Sequence, residues 1–569
     1  MSDPSITVVI GGEAGQGLVT VGEFLSKALI RAGYEIVVSQ DYMSRIRGGH
    51  NLFIIRVSPE QALAPREGID LLVALDAATI ALHRGELTGR GLVVADESYD
   101  FAGAPGIKVP FATLCPRPIF ENIAALGVLA RLLCLEPGWL TDLIEENFAR
   151  KGGEVVGQNL SVFKAAQAFA EGANPGFACL APPKIRGKRL MLDGAAAVAL
   201  GGLAAGVDFC SFYPMTPSTG VALTLIAHAR EMGVVVEQAE DEIAAFNMAL
   251  GASYAGATAM VATAGGGFAL MCEGVSLAGM TETPIVAVVG QRPGPATGLP
   301  TRTEQGDLNL VLYAGHGEFP RAVFAPGAPE QCFHLTRRAV DQAERHQSPV
   351  FVLIDQYLAD GYRAVEPFDL RGLPETARPG REGPADYRRY APDDSGVSPR
   401  LIPGFGPYLV CVDSDEHTPD GHITEDGGVR TAMVDKRQRK LRGLTAEALA
   451  PDYSGDPEPE VLLVCWGSTL GAASEAAEIL RGQGKKAACL HFPQVYPLVP
   501  ESFAAHFKRA GEVVMVEGNA TGQFAELILA KTGIRIAKRI LRYDGRPFTA
   551  KYILDRLDAG QAGETHAAD

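Results

Sequence analysis

Tyr213-Pro-Met-Thr-Pro-Ser-Thr219, then Glu242-Ile-Ala-Ala-Phe-Asn-Met-Ala-Leu-Gly251, then Thr263-Ala-Gly-Gly-Gly267 decide how this chain is read. The run from Asp208 to Tyr213 is β-prone and is stopped by Pro214 and Pro217, because a residue before proline is pushed out of the helical region. A helical pattern runs from Ser218 to Met232, and Val234 to Val236 is the next strand. Glu242 then opens a helix of small residues that ends near Gly256. Thr258 to Thr263 is a strand running into the glycine turn, a helix follows from Phe268, and the strand Pro284 to Val289 ends in Gly290-Gln291. Strands and helices alternate, the pattern of a parallel α/β unit.

Working outward, Ile6 to Gly11 reads as a buried parallel strand, β-branched and ending in glycine. Gly11-Gly-Glu-Ala-Gly-Gln-Gly17 and a helix follow. That spacing fits G-x-G-x-x-G only in part, and no acidic residue is convincingly placed about twenty positions on as a ribose ligand. A phosphate contact or close backbone packing is the better reading than a nicotinamide site. Arg45 and Arg47 beside Gly48-Gly49 could clasp an anion. The Pro-rich stretch from 175 to 188 reads as a linker. From Glu366 to Gly455 regular periodicity is lost, which is unusual inside a domain; it reads as an ordered crossover, with the charge-dense stretch from His417 to Lys440 as the place for contacts. A last α/β unit starts at Glu460. The expected fold is therefore α/β with three α/β domains. The expected division is 1–185, 186–365, a crossover over 366–455, and 456–569.

Length supports several domains: 569 residues, of which 47% are apolar. A net charge of −16 argues against nucleic-acid binding, which needs clustered Lys and Arg. The polar start Met1-Ser-Asp-Pro-Ser5 carries no leader pattern, and the apolar run from Gly194 to Val207 is too short and too rich in Gly and Ala to span a bilayer. A cytoplasmic protein away from membranes is expected. The nine cysteines show no C-x-x-C or other ligand spacing. They read as small buried thiols, and no metal ligands are assigned on this chain.

Glu242 has two readings. A carboxylate at a helix start can cap it or answer its dipole. The second reading comes from what surrounds it: the order strand, Glu, Ala-rich helix, Thr-Ala-Gly-Gly-Gly turn, helix, strand, Gly-Gln resembles the pyrimidine-binding domain of thiamine diphosphate enzymes. In that family the Glu hydrogen-bonds the aminopyrimidine and promotes the tautomer that takes the thiazolium proton. Glu242 matches by position; Glu240 and Asp241 do not keep register with Ala244, Ala245 and Gly251. The family's other half, a Gly-Asp-Gly paired with a later Asn, is missing: Asp193-Gly194, Asp426-Gly427 and Asp544-Gly545 lack both the preceding Gly and the Asn. A partner chain should supply it.

Tyr213-Pro-Met-Thr-Pro-Ser, the Glu237 to Gly256 segment, the run Gln291 to Thr301 and Gln305-Gly-Asp-Leu308 together resemble the α subunit of 2-oxoacid:ferredoxin oxidoreductases. The glycine loop to Gly17 and Arg47-Gly-Gly49 resemble that family's γ domain, fused in front as in the 2-oxoglutarate type. Gly194-Ala-Ala-Ala197 departs from the family's Gly-Asn-Glu-Ala and loses two polar side chains. The resemblance implies a γ domain, a pyrimidine-binding domain and a transketolase-C-terminal-like domain. It also implies oxidative decarboxylation of 2-oxoglutarate with coenzyme A to succinyl-CoA and CO2, electrons passing to ferredoxin, or the reverse. Glu242, Tyr213, Pro214, Gly265 and Gly266 would hold the cofactor; Thr216, Arg292 and Thr297 would meet substrate; Arg45 and Arg47 are candidate coenzyme A contacts. Mg2+ and a [4Fe-4S] cluster would sit on a β subunit, in a dimer of αβ heterodimers. Pyruvate, branched-chain 2-oxoacids and indolepyruvate are alternative substrates, and a non-catalytic coenzyme A- or nucleotide-binding scaffold is the alternative of another class.

Overall fold

The computed structural model describes residues 4–44, 48–173, 176–184, 187–558 and 563–564. The chain forms two compact units, the first of residues 1–192 with 361–368, the second of 193–360 with 369–569.

The first unit is built on eight strands: β1 (Ile6–Glu13), β2 (Glu35–Asp41), β3 (His50–Ser58), β4 (Ile69–Ala74), β5 (Leu87–Asp96), β6 (Gly106–Val109), β7 (Leu190–Leu192) and a late strand, Arg363–Val365, which follows six more strands in the sequence. β1 lies parallel to β4 but antiparallel to β3. The sheet is therefore mixed, where the sequence suggested parallel alternation: β1, β2 and β3 have apolar centres and are mostly buried, so periodicity does not reveal their direction. Residues 363–365 pair with β2 and β7 and so belong to this sheet rather than to the strands before them in sequence. Cys134 and Cys179 form a disulfide here, with Cα atoms 5.3 Å apart. This corrects the reading of all nine cysteines as thiols; 45 residues separate the two, and sequence spacing says nothing about approach in space.

The second unit carries β8 (Phe209–Phe212), β9 (Val235–Gln238), β10 (Ala259–Ala264), β11 (Ile285–Gln291), β12 (Ala322–Phe324) and β13 (Pro349–Asp355). With Arg363–Val365 as β14, the chain continues through β15 (Asp452–Gly455), β16 (Val461–Trp466), β17 (Ala487–Phe492), β18 (Gln494–Tyr496), β19 (Glu512–Glu517), β20 (Lys538–Leu541) and β21 (Gly563–Glu564). One sheet has the order β18-β12-β13-β11-β10-β8-β9, parallel except for β18. β10, β11 and β13 are buried throughout, as parallel strands with helices on both faces must be. Ala264 pairs with Gly290 and Gln291 with Asp355, so these strands end at one level. Ligand sites in such sheets lie at the carboxyl ends of the strands.

A second sheet, β15-β17-β16-β19-β20-β21, forms the C-terminal layer. The two layers are stitched by Gln305. Its Nε2 donates to the Trp466 carbonyl at 2.8 Å, its Oε1 accepts from Gly518 N at 2.7 Å, and its own amide donates to the Gly518 carbonyl at 2.6 Å.

The crossover holds a 20-residue helix, Gly427–Ala446, which corrects the expectation of a stretch without regular elements. Its buried positions are Met433, Lys436, Arg437, Lys440 and Leu444. That is helical spacing, but three of the five are cationic, so no apolar stripe marks it in the sequence. Lys436 and Lys440 both reach Glu282, and all three are essentially inaccessible. Burial works to raise the Glu282 carboxyl, but Lys440, Lys436 and Arg389 outweigh it and hold it down at about 2. Arg437 forms a bidentate pair with Glu416. Among the described residues, no helix is long and apolar enough to cross a membrane.

Candidate active site

Three acidic residues follow β9, and the structure separates their tasks. Glu240 is exposed. Asp241 is the N-cap of the helix Glu242–Tyr254, its carboxylate accepting from Ala244 N at 2.7 Å. Capping is thus done by Asp241. Glu242 is 4% exposed, and its Oε1 is buried with no hydrogen-bond partner. A buried carboxylate oxygen left alone is costly, and such groups mark functional sites.

The glycine turn closes on that oxygen. A Cβ at Gly267 would lie 2.8 Å from Glu242 Oε1 and would also strike the Thr263 hydroxyl. Only glycine leaves the space open. Gly265 is buried and Gly266 exposed at the start of the short helix Gly265–Leu270. A hydrogen-bonding ring nitrogen fits this cradle, since the lone buried acceptor and the bare backbone face the same space.

The Tyr213 to Thr219 turn stands over the neighbouring strand end. Gly290 lies beneath Pro217, where a Cβ would come within 3.0 Å of the ring. The Thr216–Pro217 bond is cis. Ser218 makes the turn's own side-chain bond, donating to the Met215 carbonyl at 2.8 Å. Tyr213 and Pro214 are exposed, Thr216 half-buried. Arg292 Nη1 donates to the Thr216 carbonyl at 2.9 Å, so the β8 turn and the β11 end are tied together. Arg292 Nε is buried without a partner. Thr297 is exposed on the loop after Arg292. Arg45 and Arg47 lie outside the described residues.

Two acids, Glu304 and Asp307, lie in the run Pro300-Thr-Arg-Thr-Glu-Gln-Gly-Asp307, to which the sequence assigns no role residue by residue. Asp307 donates its amide to Gln291 Oε1 at 3.1 Å, and its Oδ2 is buried without a partner. Burial pushes its carboxyl up to about 6, the Arg292 charge opposing. Burial, then the Asp307 charge, pushes Glu304 up to about 7. Burial depresses the Arg292 guanidinium, and Asp307 opposes that. The sequence signal for both acids is faint, because acidic residues in a loop ordinarily read as solvated.

Comparison with known proteins places this geometry. Residues 201–436 match the family model described as pyruvate flavodoxin/ferredoxin oxidoreductase, thiamine diphosphate-binding. Residues 7–169 match pyruvate ferredoxin/flavodoxin oxidoreductase, and 455–550 the transketolase C-terminal domain. A 2-oxoacid:ferredoxin oxidoreductase α subunit from Sulfolobus is 31% identical over 95% of this chain and 94% of its own. The chain belongs to the 2-oxoacid:ferredoxin oxidoreductase family. Another oxidoreductase relative, the 2-oxoglutarate oxidoreductase subunit KorA of Mycobacterium tuberculosis, is 29% identical over 98% of this chain and 92% of its own. A solved structure is also similar: the 2-oxoglutarate:ferredoxin oxidoreductase from Magnetococcus marinus, with 2-oxoglutarate, coenzyme A and succinyl-CoA bound. It superposes with a TM-score of 0.91 and 30% identity, over 98% of this chain and 99% of that one. The three-part α/β fold, with its thiamine diphosphate-binding and transketolase-C-terminal parts, is that of this oxidoreductase family.

Proposed function

We propose that this chain is the α subunit, with a fused γ domain, of a 2-oxoglutarate:ferredoxin oxidoreductase. The reaction is 2-oxoglutarate + coenzyme A + two oxidised ferredoxins → succinyl-CoA + CO2 + two reduced ferredoxins + H+, or its reverse. The similarity to the Magnetococcus marinus enzyme over nearly both full chains supports the substrate. One observation carries the site: the buried, partnerless Oε1 of Glu242 against the bare Gly267.

Thiamine diphosphate, when bound, would supply the carbon nucleophile and electron sink that let a 2-oxoacid lose its carboxylate as CO2. Glu242 would hold a proton or hydrogen bond at its buried Oε1 toward the aminopyrimidine, beside the bare Gly267. Tyr213 and Pro214 form the wall above it with Gly265 and Gly266. Arg292 pairs with the substrate's carboxylate, a role suited to a planar guanidinium. The tie between Arg292 and the Thr216 carbonyl presets the distance between clamp and turn, and the Thr216 hydroxyl meets the keto or carboxylate oxygen, with Thr297 nearby. Coenzyme A docks on the 1–185 domain, with Arg45 and Arg47 as contacts. A β partner carries the diphosphate-binding motif, Mg2+ and a [4Fe-4S] cluster, within a cytoplasmic dimer of αβ heterodimers. The pyrimidine-binding domain is read as 186–365, save the short strands β7 and Arg363–Val365 that pair into the first unit's sheet, with the crossover over 366–455 and the last domain over 456–569.

The test is reconstitution with the β partner and measurement of CO2 release from 2-oxoglutarate with coenzyme A and a viologen acceptor. Release at a rate above that with pyruvate is expected. No release, or preference for pyruvate, defeats the substrate assignment.

A further inference from the structure

Asp307 has a conventional explanation available, and the structure withholds it. It precedes the helix Leu308–Leu312, where an aspartate usually caps, yet its side chain makes no cap hydrogen bond. Instead one carboxylate oxygen is buried with no partner, pressed against the bare Cα of Gly265, where any Cβ would collide with it. The residue is held from behind: Gln291 accepts its amide, and Gln291 itself is buried at the end of β11. The next residue along that strand is Arg292, whose Nε is also buried and partnerless and whose Nη1 is committed to the Thr216 carbonyl. Gln305, two residues before Asp307, is pinned to the C-terminal layer by the bonds described above, so the acid-bearing loop cannot drift from the arginine. Two partnerless buried atoms, Asp307 Oδ2 and Arg292 Nε, on side chains of opposite charge held by adjacent anchor points, are expected to be completed by a third species.

We infer that Asp307 is a positioning residue: its ionised carboxylate orients the Arg292 guanidinium so that the fork faces an incoming 2-oxoacid carboxylate. This rests on the substrate role proposed above for Arg292. The simplest electrostatic alternative has the opposite sign. A carboxylate near an anion site repels the anion, so its removal would tighten binding; if it orients the clamp, its removal weakens binding. The charge that acts on Asp307 is Arg292, at the end of β11, and Asp307 in turn raises Glu304 on its own loop. With its carboxyl at about 6, Asp307 is ionised above that pH and loses its orienting charge as pH falls through it.

The test uses the assembled αβ complex and N-oxalylglycine, an unreactive isostere of 2-oxoglutarate, titrated calorimetrically from pH 5.5 to 8. In the native complex affinity is expected to fall as pH drops through about 6. Asp307→Asn is expected to weaken binding about 5- to 20-fold at pH 7.5 and to flatten that limb. Glu304→Gln, which removes the other carboxyl, is expected to keep the limb near 6. In turnover, Asp307→Asn should raise KM with kcat within about threefold, the split expected of lost ground-state binding. Equal or tighter binding by Asp307→Asn overturns the inference, as does an unchanged pH limb. If neither protein binds the probe, the clamp role of Arg292 falls, and the inference with it. If the probe binds as described but 2-oxoglutarate is not turned over, the substrate assignment fails while the orienting role of Asp307 stands.

Discussion

Replacing Glu282 by Gln strikes a fully buried cluster of charges in the second unit. Glu282 is fully buried, and Lys436 and Lys440 are 1% and 2% exposed. Gln keeps the shape and removes the only carboxylate the two lysines contact among the described ion pairs. Breaking a buried pair while leaving its partner charged costs about 3–5 kcal/mol. For a unit of about 370 residues, an unfolding entropy of roughly 2.1 cal/mol/K per residue turns about 4 kcal/mol into a fall in Tm of about 5 °C. The loss also depends on pH. Burial, opposed by Glu282, lowers Lys440 to about 7. Its folded value is below its unfolded one, so the folded state gains stability as pH rises from about 7 toward 10.5. At pH 9 the native Lys440 is already largely neutral and needs Glu282 less. Differential scanning calorimetry of the assembled complex should therefore find a larger loss at pH 6 than at pH 9. Adding Lys436→Met and Lys440→Met to the Gln variant should recover most of it, because the two lysine charges leave with the carboxylate and Arg389 keeps its bond to the Glu282 carbonyl. An unchanged Tm, or equal losses at both pH values, refutes the reasoning.

Glu242→Gln should cut turnover about 10²- to 10⁴-fold with complex assembly and Tm retained, read by steady-state assay and size-exclusion chromatography. Gly267→Ala should abolish most activity without unfolding the protein, because the methyl group fills the space before Glu242 Oε1; near-native turnover would remove that cradle from the site. Gln305→Ala leaves the Gly518 amide unpaired and takes from the Trp466 carbonyl one of its two donors, the Thr469 hydroxyl remaining. At about 1–3 kcal/mol for a buried orphan, denaturant melts should show a clear loss, together with faster proteolysis near Gly518.

The strand and turn order around Glu242 was legible because each strand end carries its own punctuation: Pro214 and Pro217, the Gly265–Gly267 turn, and Gly290-Gln291. The separation of Asp241 as cap from Glu242 as buried acid was only half legible. Register with Ala244 and Ala245 chose between them, but burial is a property of the folded unit. The Gly427–Ala446 helix was hidden because Lys436, Arg437 and Lys440 occupy its inner face, and a reading based on apolar periodicity sees only a charged surface there. The place of Arg363–Val365 in the first unit's sheet was invisible for a different reason: a three-residue strand joining a distant partner leaves no local signal. Asp307 and Glu304 were missed because their importance lies in desolvation, which Gly265 and the Gln305 anchor create from outside their own loop.

β18 adds antiparallel to β12, although it lies in the sequence among the strands of the C-terminal layer. That strand gives the seven-stranded sheet a covered rim. A chain cut after residue 455 would strip it away and leave β12, a buried apolar Ala-Val-Phe, as a naked edge ready to recruit a strand from any neighbour. Such a truncation should fail by self-association rather than by loss of its catalytic residues, and the final hundred residues would serve, in that respect, as the chain's own guard against aggregation.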